Sequence, residues 1–346
     1  MNFLGKIKEY KNSYNVSIIL NIVLVVFVIY FIFSSNKVVS NDTKFLRENN
    51  SGYKFTSPIL SYEDIAPNAS TLVGFSKTNN FIDDLVKKYN VQTASVYYQD
   101  LNNGPWYGYN SKEMFVPASL VKIPIVISLF KYMEKNPLAL YKKVKVTQED
   151  LNQALKQNIT DKKNVKLGQE YSPIELVNYV LEDSDNIALN VLLNNFPEDK
   201  YLDETFKQIG VDTAVKDNQL VLKNRDYATF FNVLYNASYL SKDNSELILK
   251  ILSQSTFKDG IVAGVPKGII VAHKFGERNF ADKGLVLDSF VPDGVTDETK
   301  QLHDCGIVYL PGKPYILCIM TRGADLKNQE SFISSLSRYI YNDVKN

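Results

Sequence analysis

Soft metal ligands are scarce in this chain: two cysteines and two histidines occur among 346 residues. No C-x-x-C pair is present, and His273 and His303 fit no zinc spacing, so neither a metal nor a cofactor is expected. Excess charge is missing too. Lys and Arg total 39 against 38 Asp and Glu, a net charge of +1, which implies no nucleic acid or other polyanion as partner. No G-x-S-x-G elbow occurs, which disfavours an α/β-hydrolase, and there are no internal repeats. Glutamate is absent from the whole stretch between Glu204 and Glu246. What remains, 45% hydrophobic and 22% charged, is ordinary globular composition.

One long apolar run stands out, Val16 to Phe33, with Ser17 and Asn21 its only clearly polar members. As a helix it would be about 27 Å long, just enough to cross a bilayer core. Lys6, Lys8 and Lys11 precede it and only Lys37 follows closely, which puts the N-terminus in the cytoplasm and the rest outside. A cleaved signal peptide is the rival reading, but no A-x-A-like site and no lipid-bearing cysteine follow. The expected organisation is therefore a cytoplasmic N-terminus (1–15), a single transmembrane anchor in the cell membrane (16–33), a polar stalk rich in Asn and Ser (34–75) and one extracytoplasmic domain (76–346).

Within that domain, Phe81 to Tyr89 carries a helical apolar stripe, and TASVYYQD and WYGYN flank an Asn-Asn-Gly-Pro turn as a hairpin. The middle, about 117 to 255, is mostly helical in pattern; Ser172, Pro173 and Glu175 form a helix start with a capping box. GIIVAHKFGE, CGIVYLP and YILCIMTRG read as three strands, and a last helix places Phe332, Leu336 and Ile340 on one stripe. The predicted fold is α+β: N- and C-terminal strands join one antiparallel sheet, packed with a large helical block.

The domain also holds a costly residue. FVPASLVKIPIVISLF puts Lys122 inside an otherwise oily run, three residues after Ser119. Ser-x-x-Lys occurs five times in the chain (Ser34/Lys37, Ser51/Lys54, Ser119/Lys122, Ser128/Lys131, Ser255/Lys258), so the motif alone decides nothing. Only Ser119 stands at the head of an apolar helix, where residues three apart share a face. Burial disfavours an ammonium, and a neutral amine beside a hydroxyl is a general base for a serine nucleophile. The bland alternative is a surface lysine whose stem lies along the protein. Further on, Ser184-Asp185-Asn186 sits between two helical patterns, where it could simply cap the second, and Lys274 and Gly276 fall on a strand, where Lys274 could guard an edge.

A serine-lysine pair, then S-D-N, then K-T-G is the set of class A β-lactamases and penicillin-binding proteins, and residues 76–344 resemble that family. The spacings agree, Ser184 lying 65 and Lys274 155 residues after Ser119. The resemblance implies that Ser119 is the acylated nucleophile, Lys122 its proton acceptor and Ser184 a relay to the leaving nitrogen. Asn186 would bind the substrate's amide side chain and Lys274 its carboxylate. The backbone N–H groups of Ser119 and Arg278, two past Gly276, would form the oxyanion hole. The implied partner is a β-lactam or a D-Ala-D-Ala-like peptidoglycan peptide; a catalytically weak wall-binding module that keeps the cleft is the alternative.

Three departures bear on activity. The strand motif reads Lys-Phe-Gly, so Phe275 cannot supply the hydroxyl that helps hold the carboxylate, and Arg278 is the candidate replacement, unless it is an ordinary surface arginine. The deacylating glutamate of class A enzymes has no counterpart in Gly210 to Arg225, where only Asp217 could stand in, so a long-lived acyl-enzyme is expected. Ala281 to Leu302 is longer than the usual turn and is either a lid or a solvated insertion. The last two strands are read as a hairpin with a two-residue turn at Gly312-Lys313, which sets Cys305 opposite Met320, so Cys305 and Cys318 are expected as diagonal neighbours and free buried thiols.

Overall fold

The computed structural model describes residues 44–46, 52–57, 59–62, 75–102, 104–154, 164–196, 199–211, 214–216, 219–280 and 299–346. The expected anchor 16–33, about two thirds of the stalk, Asp217 and residues 281–298 of the expected lid lie outside them. Of the described part of the stalk, Phe55, Thr56 and Ser57 are buried against the domain, Ser57 N–H donating to Tyr235 O, so this stretch is packed and not a free stalk. Among the described residues, no helix is long and apolar enough to cross a membrane.

Strands β1 (Thr93–Asp100), β2 (Trp106–Tyr109), β3 (Val271–Asn279), β4 (Lys300–Val308) and β5 (Tyr315–Gly323) form one antiparallel sheet in the order β3-β4-β5-β1-β2. Helices α1 (Phe75–Lys88), α2 (Lys122–Lys135), α3 (Pro173–Glu182), α4 (Asn186–Asn195), α5 (Asn224–Asn236) and α6 (Leu326–Lys345) complete the frame used below. N-terminal β1 and β2 thus join the C-terminal strands, the α+β arrangement expected.

Both faces of the sheet are covered, which is why β5 is apolar almost throughout instead of alternating. Ile316, Cys318 and Met320 face the helical block with Ile123, Val126 and Phe130 of α2. Leu317 and Ile319 face the opposite way, onto Ile82 and Leu85 of α1 and Phe332, Leu336 and Ile340 of α6. Each such side chain, fully buried, contributes roughly 1.5–3 kcal/mol. The two terminal helices therefore close one face and α2 braces the other.

The β4–β5 hairpin corrects two expectations. Its turn is centred on Pro311-Gly312, with Lys313 N–H donating to Leu310 O and Gly312 at φ +74. Proline presets the first central position and glycine supplies the positive φ of the second. Centring the turn one residue later, on Gly312-Lys313, had put Cys305 opposite Met320. The observed register pairs Cys305 with Cys318, Cα to Cα 3.9 Å, and the two form a disulfide instead of free thiols.

Candidate active site

Ser119 lies half-buried on a 3-10 turn, Ala118–Val121, that runs directly into α2. Leading into it, Met114–Phe115 pairs with Leu222 and Lys223. Ala118, immediately before the serine, sits at φ +49. A left-handed conformation costs a non-glycine residue about 1–2 kcal/mol and persists only where the surroundings over-determine it. They do so here. Arg322 donates to Met114 O (3.1 Å) and Glu113 Oε1 (3.0 Å), and Tyr227 OH donates to Leu120 O (3.0 Å). His303 Nε2 reaches Val116 O (3.1 Å) and Gln301 Oε1 (3.0 Å), while its Nδ1 accepts from Thr321 N–H (3.3 Å). That pattern makes the ring a neutral Nε2–H tautomer. Burial, above all, pushes its pKa down to about 4.

Lys122 is the next piece. Only 1% exposed, it points its Nζ at Ser184 O (2.5 Å), Ser184 Oγ (3.0 Å) and Asn186 Oδ1 (2.6 Å). The carbonyl and amide oxygens can only accept, whereas the Ser184 hydroxyl can also donate. The three oxygens take the three N–H bonds of an ammonium, and a neutral amine can keep the two obligate acceptors while its lone pair meets the Ser184 proton. Ser184 itself is fully buried at φ +57, in the tight bend between α3 and α4. Asp185, not Ser184, caps α4, its Oδ1 accepting from Ile187 and Ala188 N–H (2.8 and 3.3 Å); its Oδ2 accepts from Val165 N–H (2.9 Å). Pro124, at the third position of α2, occupies a place where no intrahelical N–H bond is lost.

Strand β3 forms the other wall. A Cβ on Gly276 would stand 2.9 Å from Pro117 O and 3.1 Å from Leu120 N, so the strand reaches the serine turn only because this residue is glycine. Lys274 is fully buried on the same strand face, its Nζ donating to Phe275 O (2.9 Å). Arg278, partly exposed two residues beyond Gly276, lies over the Phe280 ring at 5.0 Å. Phe275 turns to the opposite face, 1% exposed and stacked on Phe257 at 4.4 Å, which makes it a core residue.

With the serine turn, the buried lysine and S-D-N joined, and Gly276 of the Lys-x-Gly strand against the turn, comparison with known proteins is direct. The model of the Beta-lactamase enzyme family matches residues 77–344. The chain belongs to that family. Solved structures with the same fold include PBP-A, at 21% identity, covering 78% of this chain and 96% of that one with a TM-score of 0.63. A β-lactamase from Chitinophaga pinensis is 20% identical, covering 78% of this chain and 100% of that one with a TM-score of 0.65. A class A β-lactamase from Mycobacterium abscessus is 19% identical, covering 78% and 100% of the two chains, with a TM-score of 0.62. No curated protein matches the chain.

Within this β-lactamase fold the ladder decides which amides of β3 face outward. Tyr309 N–H donates to Ile270 O and Phe280 N–H to Thr299 O, at the two ends of an unbroken register from Val271↔Val308 to Asn279↔Lys300. Even-numbered residues of β3 therefore make the hydrogen-bonded pairs with β4. The amide of Arg278 points into the sheet, contrary to expectation, and that of Glu277 points out from its edge, beside the Gly276 contact. Amides along a strand alternate with period two, so a shift of one residue exchanges an outward N–H for one bonded within the sheet.

The segment Gly210 to Arg225, which holds no glutamate, is partly a β-hairpin. Ala214–Lys216 and Gln219–Lys223 pair as a hairpin, whose second strand continues onto Met114–Phe115. Sequence reasoning missed two polar anchors, His303 and Asn224. The Asn224 amide donates to Ser95 O (2.8 Å) and Cys318 O (2.9 Å) across β1 and β5. Nothing in a strand or helix pattern marks such residues in advance.

Proposed function

We propose that this chain is an active-site-serine acyltransferase or hydrolase of the β-lactamase and penicillin-binding type, held outside the cytoplasm by the Val16–Phe33 segment. Its substrate class is a β-lactam or a D-Ala-D-Ala-like peptide. The observation that carries the reading is the buried Lys122 amine, bridging Ser184 and Asn186 three residues after a half-exposed serine on a turn held by Tyr227, His303 and Arg322.

In this mechanism Ser119 Oγ attacks the amide carbonyl and its proton passes to Lys122. Ser184, hydrogen-bonded to the same amine, returns a proton to the leaving nitrogen. Negative charge developing on the carbonyl oxygen is met by the N–H groups of Ser119 and Glu277. Lys274 supplies positive charge for the substrate carboxylate, Asn186 binds the amide side chain, and Arg278, on the same strand face, is the second cation within reach. PBP-A, in a mutant form, has been captured as an acyl-enzyme with penicillin G, which supports acylation as the step this fold readily performs. Deacylation needs a further base; the sequence lacks glutamate across 205–245, so the acyl-enzyme is expected to persist. Fluorescent penicillin tests the reading: the wild-type chain is covalently tagged and Ser119→Ala is not. Labelling retained in Ser119→Ala at another serine would overturn it.

A further inference from the structure

Both site-bearing helices have a second end. α2 begins at Lys122 and ends at Lys135; α3 ends beside Ser184 but begins at Pro173. Their 14 and 10 residues span about 21 and 15 Å, so whatever lies at the far ends is remote from the cleft. A 3-10 turn, Pro137–Tyr141, packs there against both helices, and the ribbon of Val144–Lys145 with Glu170–Tyr171 follows.

This pole carries Leu138 at 84%, Tyr141 at 80% and Leu167 at 52% exposure. Among the described residues the other large exposed hydrophobic is Trp106, on the sheet edge under the Arg225 guanidinium at 4.5 Å. Lys135, Lys142, Lys143, Lys145 and Lys166 surround the apolar tips, all exposed, and no acidic residue occurs from Lys135 to Gln148. Facing them are Glu170, opposite Lys145, and Glu175, whose carboxylate feels Lys143; Glu134, bound to Lys131, Ser241 and Asn244, and the exposed Glu149 flank the stretch. The chain as a whole is nearly neutral, so this is a local concentration.

We propose that this pole docks on the anionic phospholipid surface of the membrane and so aims the Ser119 cleft away from the bilayer. Leucine and tyrosine tips inside a lysine rim match the boundary between headgroups and acyl chains. A soluble wall polyanion would satisfy the lysines and leave Leu138 and Tyr141 in water. Lysines near an anionic surface add to the attraction one by one, and the neighbouring glutamates offset part of it. Such weak docking suffices because, on the anchored reading proposed above, the domain is tethered and the second contact is intramolecular.

Leu138→Cys carrying an environment-sensitive dye tests this in the full chain, since both native cysteines are in a disulfide. The chain is reconstituted into vesicles of phosphatidylcholine alone or mixed with phosphatidylglycerol. The expected result is a blue shift and quenching by doxyl-labelled lipid only in the anionic vesicles, lost in high salt and in Lys142→Gln/Lys143→Gln/Lys145→Gln. A label unquenched in both lipids, or quenched equally in both, would overturn the proposal. So would a shift produced only by an added wall polyanion. Retention of the chain by the vesicles reads the anchor separately, and penicillin labelling reads the active site.

Discussion

Replacing Gly276 by alanine tests the contact on which the site's geometry rests. The new Cβ would lie 2.9 Å from Pro117 O, 3.1 Å from Leu120 N and 3.2 Å from Leu120 Cγ. Two of these atoms are backbone, so no flexible side-chain end can swing clear. Ordinary contact begins near 3.4 Å, and strand or turn must therefore yield by roughly half an ångström. Neither yields readily: β3 is held by its full register with β4, and the turn by Tyr227, His303 and Arg322. Overpacking of this kind costs about 1–3 kcal/mol, or a fall in Tm of roughly 2–12 °C for a domain of this size. A misplacement near 1 Å costs a reaction about 100-fold, so half that should slow acylation about tenfold. Stopped-flow acylation with a fluorescent penicillin, beside thermal melting, measures both. Gly264→Ala is the control, since its Cβ would strike Ser337 Cβ and Ser334 O (2.4 and 2.6 Å) between α6 and the short Ile261–Gly264 helix. It should melt earlier while acylating normally. Equal acylation rates for the two variants would refute the view that Gly276 sets the position of Ser119.

Excess penicillin should give a mass-detectable adduct that forms in a burst and decays over minutes or longer; rapid multiple turnover with no adduct would show that another residue does the missing carboxylate's work. Stability should also fall in mild acid. His303 titrates near 6.5 when unfolded but about 4 when folded, so its contribution is complete above pH 6.5 and is lost as pH falls toward 4, by up to about 3 kcal/mol. Melting curves of wild type and His303→Gln across that window should converge as pH drops; parallel curves would place the acid sensitivity elsewhere. Ser119→Ala should melt within about 1 °C of wild type while taking no label, because the change removes one half-exposed hydroxyl; a large fall in Tm would make the lost label a folding effect.

The elements whose local chemistry is self-contained were legible before any coordinates. The Ser172/Glu175 capping box, the Pro173 start, the two hairpins and the α6 stripe follow from neighbouring residues alone, and all are present. Register was less legible, because it depends on which two residues occupy the centre of a turn. Pro311-Gly312 satisfies the backbone demands of both central positions, and moving the centre by one residue changed two cysteines from diagonal neighbours into a bonded pair. The same parity problem put Arg278 where Glu277's amide belongs. His303, Asn224 and the strained Ala118 were invisible for another reason: their partners lie up to 187 residues away in sequence. The exposed Leu138 and Tyr141 look, in sequence, like any other apolar residues ending a buried helix.

Lys122 shows why some of a site can be read and some cannot. A cation in a run that must be buried conflicts with its surroundings, and such a conflict survives only with compensating partners. The sequence displays the conflict, and spacing nominates Ser119 three residues back. The compensation is tertiary: Ser184 and Asn186 arrive from 62 and 64 residues further on. Phe275 is the converse. In the motif it looked like a lost substrate contact, yet its ring belongs to the core between the sheet and α6, stacked on Phe257. Position in a motif reports which strand a residue is on; the pleat decides which face of the sheet its side chain serves. On the function proposed above, cations for a substrate carboxylate would come from the face shared by Lys274, Gly276 and Arg278, and replacing Phe275 by threonine would open a cavity in the core without adding a hydroxyl on that face.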